Sequence, residues 1–334
     1  MQIYQEIHSA IQDAKKIVIV SHRSPDGDSI GSSLGMYHFL RKIGKEVSVC
    51  HPDPAPEFLL WVDGADQIHV HESHREKVEQ LVLEANVLIC LDFNAPGRVG
   101  QEMEPLLRSF QGVKIVIDHH LDPDLSFFDH ILSNTHVAST SELVYEFIVG
   151  SGNKDVLDVQ IGTPLYLGTM TDTGSFRYPS VRPETHDMLA HLLRLGVVHF
   201  AVHEKVFDTN TIDRLKLRGY ALSEKLELIP ARPIAYISMT ASELDRFNYR
   251  KGDTDGLVNQ ALSVEGIMVA VFFSEKDGVV KISFRSKGNY VVNQLASDHF
   301  EGGGHKYAAG GISHEGMSNA VNKFKSLIDQ YFPL

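Results

Sequence analysis

A chain of 334 residues can bury a sizeable core and divide into two domains. Its 43 acidic against 31 basic residues give a net charge of −12, which argues against a protein that coats long nucleic acid through a broad basic face; a short polyanion held by metals and a few local Arg or His residues stays compatible. Only two cysteines occur, no apolar stretch approaches the ~20 residues that span a bilayer, and no basic-then-apolar leader opens the chain, so a cytoplasmic protein without membrane contact is expected.

Residues 1–8 read as an amphipathic helix. Residues 16–20 (Lys-Ile-Val-Ile-Val) read as a buried strand, followed by a Pro/Gly/Asp loop and a helical stretch through about Leu40. Strand-like runs follow at 46–50, 87–91 and 114–117, with helical segments between them; Cys50 and Cys90 end two of these runs and are expected reduced in the core. Short continuous apolar runs alternating with helices predict βαβ units, hence an α/β fold with a parallel sheet covered by helices on both faces. Ligands of such sheets bind outside the carboxyl ends of the strands.

A helix over 183–195 closes this unit, so the first domain is expected to span 1–195. Residues 196–228 are expected to form a helical linker, and 229–334 a second, smaller domain. Its strands are predicted at 234–238, 267–273 and 279–284, with Lys276-Asp277-Gly278 as a hairpin turn. Helices are predicted at 291–300 and 317–331, with a Gly-rich loop, Gly302-Gly303-Gly304-His305, between them. The histidine-rich tract His69-Val70-His71-Glu72-Ser73-His74 is taken as a surface loop rather than a metal site.

Acidic and histidine residues cluster where the strands end. The first strand delivers His22 into a loop that carries Asp26 and Asp28, two residues apart and able to face adjacent metal positions. Carboxylates with an imidazole suit Mn²⁺, Mg²⁺ or Co²⁺ better than a closed thiolate zinc site. Either aspartate would serve equally as the N-cap of the helix starting near Ser29. Asp92 ends a second apolar run, Asp118-His119-His120 ends a third, and Asp172 follows a helical apolar stretch. Each alone is compatible with a turn or cap; together they look like the ligands of a two-metal phosphoester hydrolase. In the second domain, Arg285 can grip a phosphate bidentately, and glycines 302–304 let backbone N–H groups approach an anion beside His305. Neither GxGxxG nor a P-loop occurs, and Tyr178 is assigned to local packing.

In order and spacing, these segments resemble the DHH phosphoesterase family, named for its Asp-His-His triplet. The second domain resembles the DHH-associated domain through Lys281-Ile282-Ser283-Phe284-Arg285-Ser286 and Gly302-Gly303-Gly304-His305-Lys306-Tyr307-Ala308-Ala309-Gly310. The likeness covers nearly the whole chain, and the short two-domain form is most similar to the branch that combines nanoRNase and pAp phosphatase activity. It implies that His22, Asp26 and Asp92 hold one divalent ion and that Asp28, Asp92, His119 and Asp172 hold the other, Asp92 bridging. The implied ions are two, Mn²⁺ first and Mg²⁺ or Co²⁺ as alternatives; a bridging hydroxide then attacks phosphorus in line.

The resemblance further implies that His120 stabilises a phosphoryl oxygen or the leaving group, that Asp118 orients a ligating imidazole, and that Arg98 faces the phosphate. Arg285, Ser286, Gly302, Gly303, Gly304 and His305 would bind substrate. One departure is Glu301, where the family often has glycine; its charge would weaken phosphate affinity unless it points away. The expected substrates are short RNA oligonucleotides and 3′-phosphoadenosine 5′-phosphate (pAp), taken in a cleft between the domains. Linear dinucleotides from cyclic-dinucleotide signalling are the alternative. Polyphosphate or pyrophosphate is less favoured because no dense Lys/Arg clamp is found, and a non-catalytic regulator is disfavoured because every ligand is present. Such enzymes are often dimers, although no interface is legible in the sequence.

Overall fold

In the computed structural model, which describes residues 2–333, the chain forms two compact units, the first ending at Thr209 and the second beginning at Asn210. Met1 and Leu334 lie outside the described residues. The first unit opens with α1 (Gln2–Asp13), whose Ile7 and Ile11 are buried. It continues through β1 (Lys16–Val20), α2 (Gly27–Lys42), β2 (Glu46–His51), β3 (Ile68–Val70), α3 (His71–Glu84), β4 (Val87–Leu91), α4 (Glu104–Ser109), β5 (Val113–Asp118) and β6 (His130–Ser133). Helices α5 (Thr140–Gly150), α6 (Val159–Asp172), α7 (Pro183–Arg194) and α8 (His199–Phe207) complete it.

The six strands lie in the order β3-β2-β1-β4-β5-β6, and every pairing is parallel, as the unbroken apolar runs predict. Side chains alternate between two cores. Ile17, Ile19, Ile89, Leu91, Ile115 and Ile117 face one with α1, α2, α5, α6 and α7; Val18, Val20, Leu88, Cys90 and Val116 face the other with α3 and α4. Cys50 and Cys90 are free and buried, and burial pushes the Cys50 thiol up to about 12. Because β1, β4 and β5 are neighbours, their carboxyl ends emerge side by side.

The second unit comprises α9 (Ile212–Glu224), β7 (Leu226–Leu228), β8 (Ile234–Met239), α10 (Ala241–Asp245), α11 (Leu257–Leu262), β9 (Val269–Lys276) and β10 (Val279–Ser286). Then follow α12 (Asn293–His299), β11 (Gly303–His305), β12 (Ala308–Ser313) and α13 (Met317–Tyr331). Its sheet runs β11-β12-β10-β9-β8-β7, with β8 and β9 parallel and the remaining neighbours antiparallel. The β9–β10 hairpin turns through Asp277 and Gly278, both at positive φ, the backbone of a two-residue turn matched to strand twist. The stretch between the two sheets is shared out: Val202 and Val206 of α8 join the first unit's core, and Leu217 and Ala221 of α9 pack on the second sheet.

Two expectations are corrected. The tract 69–74 is not a loop: His69 pairs with Cys50 as part of edge strand β3, and His71 begins α3 and is buried. Ile68 and Val70 flank a single polar residue, which suits an edge strand too short to show a period. The Gly-rich segment is likewise partly a strand, since Gly303, Gly304 and His305 pair antiparallel with Gly310, Ala309 and Ala308. A side chain on Gly302 would meet the Gly310 carbonyl at 2.0 Å, so the close approach of β12 is what this glycine permits. No helix among the described residues is long and apolar enough to cross a membrane.

Candidate metal centre

The carboxyl ends of three adjacent parallel strands build the site. Beyond β1 comes His22, beyond β4 comes Asp92, and β5 ends on Asp118 with His119 and His120 following. Ser21 fastens the first two ends, its hydroxyl donating to the Leu91 carbonyl at 2.8 Å. Asp92 adopts a left-handed backbone, φ +66°, a conformation that aspartate tolerates better than most residues, and its N–H donates to the Ile117 carbonyl. That kink turns the carboxylate into the middle of the group.

Asp92 is 2 % exposed, and its two oxygens face different partners. Oδ2 lies 3.2 Å from His22 Nε2; Oδ1 lies 3.6 Å from His119 Nε2 and 3.8 Å from His120 Nδ1. His119 Nε2 is also 3.3 Å from Asp172 Oδ2, at the last residue of α6. Among the clusters whose donor atoms all lie within 4.8 Å of one another are His22 with Asp26 and Asp92, and Asp28 with His119 and Asp172.

Of the two aspartates, Asp26 realises the capping alternative and Asp28 does not. Asp26 caps α2, its Oδ1 accepting from the N–H groups of Asp28 and Ser29. Asp28 is buried and belongs to another helix's terminus: its oxygens accept from Thr140 N at 2.6 Å and Ser141 N at 2.9 Å, the first donors of α5. Gly168 makes room there, since a Cβ at that position would fall 2.7 Å from Asp28 Oδ1 and 2.0 Å from Ser141 Oγ.

Asp118 has a different partner from the one expected. The resemblance implies that it orients a ligating imidazole; instead its Oδ1 lies 2.7 Å from Nδ1 of His120, the imidazole assigned to the phosphate. The reason is geometric: Asp118 is the last strand residue and wholly buried, and the chain turns so that the second histidine folds back over it. Burial alone would raise the Asp118 carboxyl, but the His120 hydrogen bond and the nearby imidazole charge hold it below the usual range.

Burial, and then the neighbouring carboxylates Asp28, Asp26, Asp172 and Asp118, push Asp92 well above its ordinary range. Asp28 is raised as well, by burial first, with His119 pulling the other way. Buried carboxylates whose charges oppose one another, interleaved with imidazoles, form a donor set that a hard divalent cation relieves. The residues present therefore fit such an ion.

After Asp172 the chain leaves α6 through Gly174, Ser175 and Phe176, all at positive φ. Two consecutive non-glycine residues in this region store strain. It is held by Ser175 Oγ, 3.0 Å from His203 Nε2, and by the Phe176 ring packed edge-on to Tyr166 at 5.4 Å. Arg98 stands on the short turn Pro96–Val99, exposed, with its carbonyl accepting from Arg23 N at 2.9 Å.

In the second unit, Arg285 is half-buried on β10, opposite Ala308 of β12, and its Nη1 donates to the Phe284 carbonyl. Ser286 Oγ donates to the Tyr290 carbonyl at 2.7 Å, closing the loop after β10. Gly303 is exposed with open space around its Cα, whereas Gly302 and Gly304 lie close against β12. Glu301 sits at φ +45°, a backbone that glycine adopts freely, and its carboxylate is 3.9 Å from His314 Nε2.

The segment Ser139-Thr140-Ser141-Glu142 carries no sign in the sequence that it borders the site. Its S-x-x-E pattern signals a helix start, and Ser139 does cap α5 by accepting from Glu142 N. Nothing in the pattern shows that this helix start faces Asp28 and Asp92. Glu142 itself is buried, paired with Arg182 Nη2 at 2.6 Å and with the Ala138 N–H.

The profile described as DHH family, N-terminal domain, matches residues 16–169, and that of the DHHA1 domain matches residues 234–333. The bifunctional oligoribonuclease and PAP phosphatase NrnA of Thermus thermophilus is 31% identical over 318 residues, covering 93% of this chain and 87% of the relative. Its namesake in Bacillus subtilis is 26% identical, covering 88% of each. Among solved structures, an exopolyphosphatase-related protein from Bacteroides fragilis superposes with a TM-score of 0.95 at 39% identity, covering 99% of this chain and 97% of that one.

Proposed function

Because the chain belongs to the DHH family, we propose that it is a metal-dependent phosphoesterase that hydrolyses short oligoribonucleotides and pAp. The observation that carries this reading is the Asp92 carboxylate, with one oxygen toward His22 and the other toward His119, the arrangement of a residue shared by two cation positions. Two divalent ions, Mn²⁺ in the first instance, would supply Lewis-acid polarisation of the phosphoryl group and an activated water.

The chain's own residues do the rest. His22, Asp26 and Asp92 would hold one ion, and Asp28, His119 and Asp172, with Asp92 shared, would hold the other. His120, oriented through Nδ1 by Asp118, presents Nε2 as a donor to a phosphoryl oxygen or to the leaving group. Arg98 adds positive charge near the carboxyl end of β4, and Arg285, Ser286, glycines 302–304 and His305 add anion affinity from the second unit. A net charge of −12 favours short substrates over a long strand.

Turnover of di- to pentaribonucleotides and of pAp with Mn²⁺, alongside pApA, pGpG and polyphosphate, tests the reading. Hydrolysis of short RNA and pAp at the highest rates is expected. No turnover of either overturns it, and a preference for polyphosphate would move the chain toward the substrate that the name of its Bacteroides fragilis relative suggests.

A further inference from the structure

We infer that Thr140 is a positioning residue that locks the two candidate cation positions to one another. Its backbone N–H donates to Asp28 Oδ2 at 2.6 Å, and its hydroxyl donates to Asp92 Oδ1 at 3.0 Å. One residue thus grips two carboxylates that come from different elements, α2 and the end of β4. Asp92 is the ligand assigned to both positions, and its other oxygen faces His22.

Helix capping does not account for this hydroxyl. The cap of α5 is Ser139, whose Oγ accepts from Glu142 N at 3.0 Å, so Thr140 stands one position inside and its Oγ is not needed there. Thr140 is wholly buried, and a hydroxyl in such a place costs stability unless it is bonded. Its one hydrogen goes to Asp92, so the carboxylate rotation that presents Oδ2 to His22 is fixed from the opposite side. The β-branched side chain has few rotamers, which holds the donor in place. Asp28 is fixed equally firmly, since both its oxygens accept from the start of α5. Groups that hold ligands in this way tune metal affinity by about 10–100-fold.

The inference rests on Asp28 and Asp92 being ligands, and its test separates the two ideas. Mn²⁺ binding to the full-length protein is measured by calorimetric titration for wild type, Thr140→Val and Thr140→Ser, together with the melting temperature of each without metal. Valine keeps the backbone N–H and the branched shape but removes the donor; serine keeps the donor. Thr140→Val is expected to weaken Mn²⁺ binding by about 10–100-fold, with Thr140→Ser near wild type. Equal, wild-type Mn²⁺ affinity in both variants, whatever their melting temperatures, overturns the positioning role. Equal weakening in both also overturns it, because packing rather than the hydroxyl would then be responsible. Wild-type protein that binds no Mn²⁺ overturns the ligand reading itself.

Discussion

Asp118 Oδ1 lies 2.7 Å from His120 Nδ1, so the buried carboxylate of the triplet orients its second histidine. With Nδ1 engaged by that carboxylate, Nε2 is the ring nitrogen assigned to the phosphate. Asp118→Asn removes the charge and keeps the size. Its kcat should fall by about 10–100-fold while Mn²⁺ stoichiometry stays at the wild-type level, as steady-state kinetics and metal analysis would show. Loss of metal with little effect on kcat would mean that Asp118 acts through His119 instead.

Gly168 is the point where α6 passes the proposed ligand Asp28. A methyl group there would fall 2.0 Å from Ser141 Oγ and 2.7 Å from Asp28 Oδ1, so the neighbours must move. Gly168→Ala should destabilise the protein by about 1–3 kcal/mol in urea unfolding and weaken Mn²⁺ binding as well. Wild-type values of both would show that the contact between α2, α5 and α6 yields easily.

His51 gives the fold an acid sensitivity. It is wholly buried with Nε2 3.1 Å from Ser33 Oγ, and Nδ1 finds no hydrogen-bond partner among the described residues. Burial, with a smaller push from His22, lowers its pKa from 6.5 to about 3. The unfolded chain therefore takes up a proton below about pH 6.5 that the folded chain refuses until about pH 3, so stability is full above that window and is lost as pH falls through it. The slope from this residue is about 1.4 kcal/mol per pH unit. In metal-free urea titrations at pH 7 and pH 5, His51→Gln should lose roughly 2 kcal/mol less than wild type. Equal losses would mean that His51 is protonated in the fold.

Arg285 belongs to the second unit and is assigned to substrate rather than metal. Arg285→Ala should raise KM for pAp by about tenfold or more, the scale of one charge-assisted contact, with metal content unchanged. Abolished Mn²⁺ binding in this variant would end the division of labour between the units.

Much of this architecture can be read from the sequence because buried parallel strands are nearly all apolar. The runs at Ile17–Val20 in β1 and through β4 and β5 announce themselves, and each is followed by a polar residue of the site: His22, Asp92, His119. Strands β3 and β6 were not legible, since Ile68–Val70 and His130–Ser133 are short edge pieces whose polar residues mask any pattern. β11 was hidden by its glycines, which read as a loop until Ala308–Ser313 pairs with them. The contacts that decide the site's detail lie far apart in sequence: Thr140 meets Asp28 and Asp92, and no local pattern carries such information. Residue identity likewise points Asp118 toward a ligating imidazole, whereas the turn after β5 gives it His120.

Asp92 is the residue on which the account turns, and the most direct measurement is its replacement. Mn²⁺ stoichiometry and pAp hydrolysis are compared for wild type and Asp92→Ala. The wild-type protein should bind two ions per chain and turn over pAp, and Asp92→Ala should fail to hold the pair and lose essentially all activity. An Asp92→Ala variant that binds two ions and still hydrolyses pAp would contradict the shared-ligand centre.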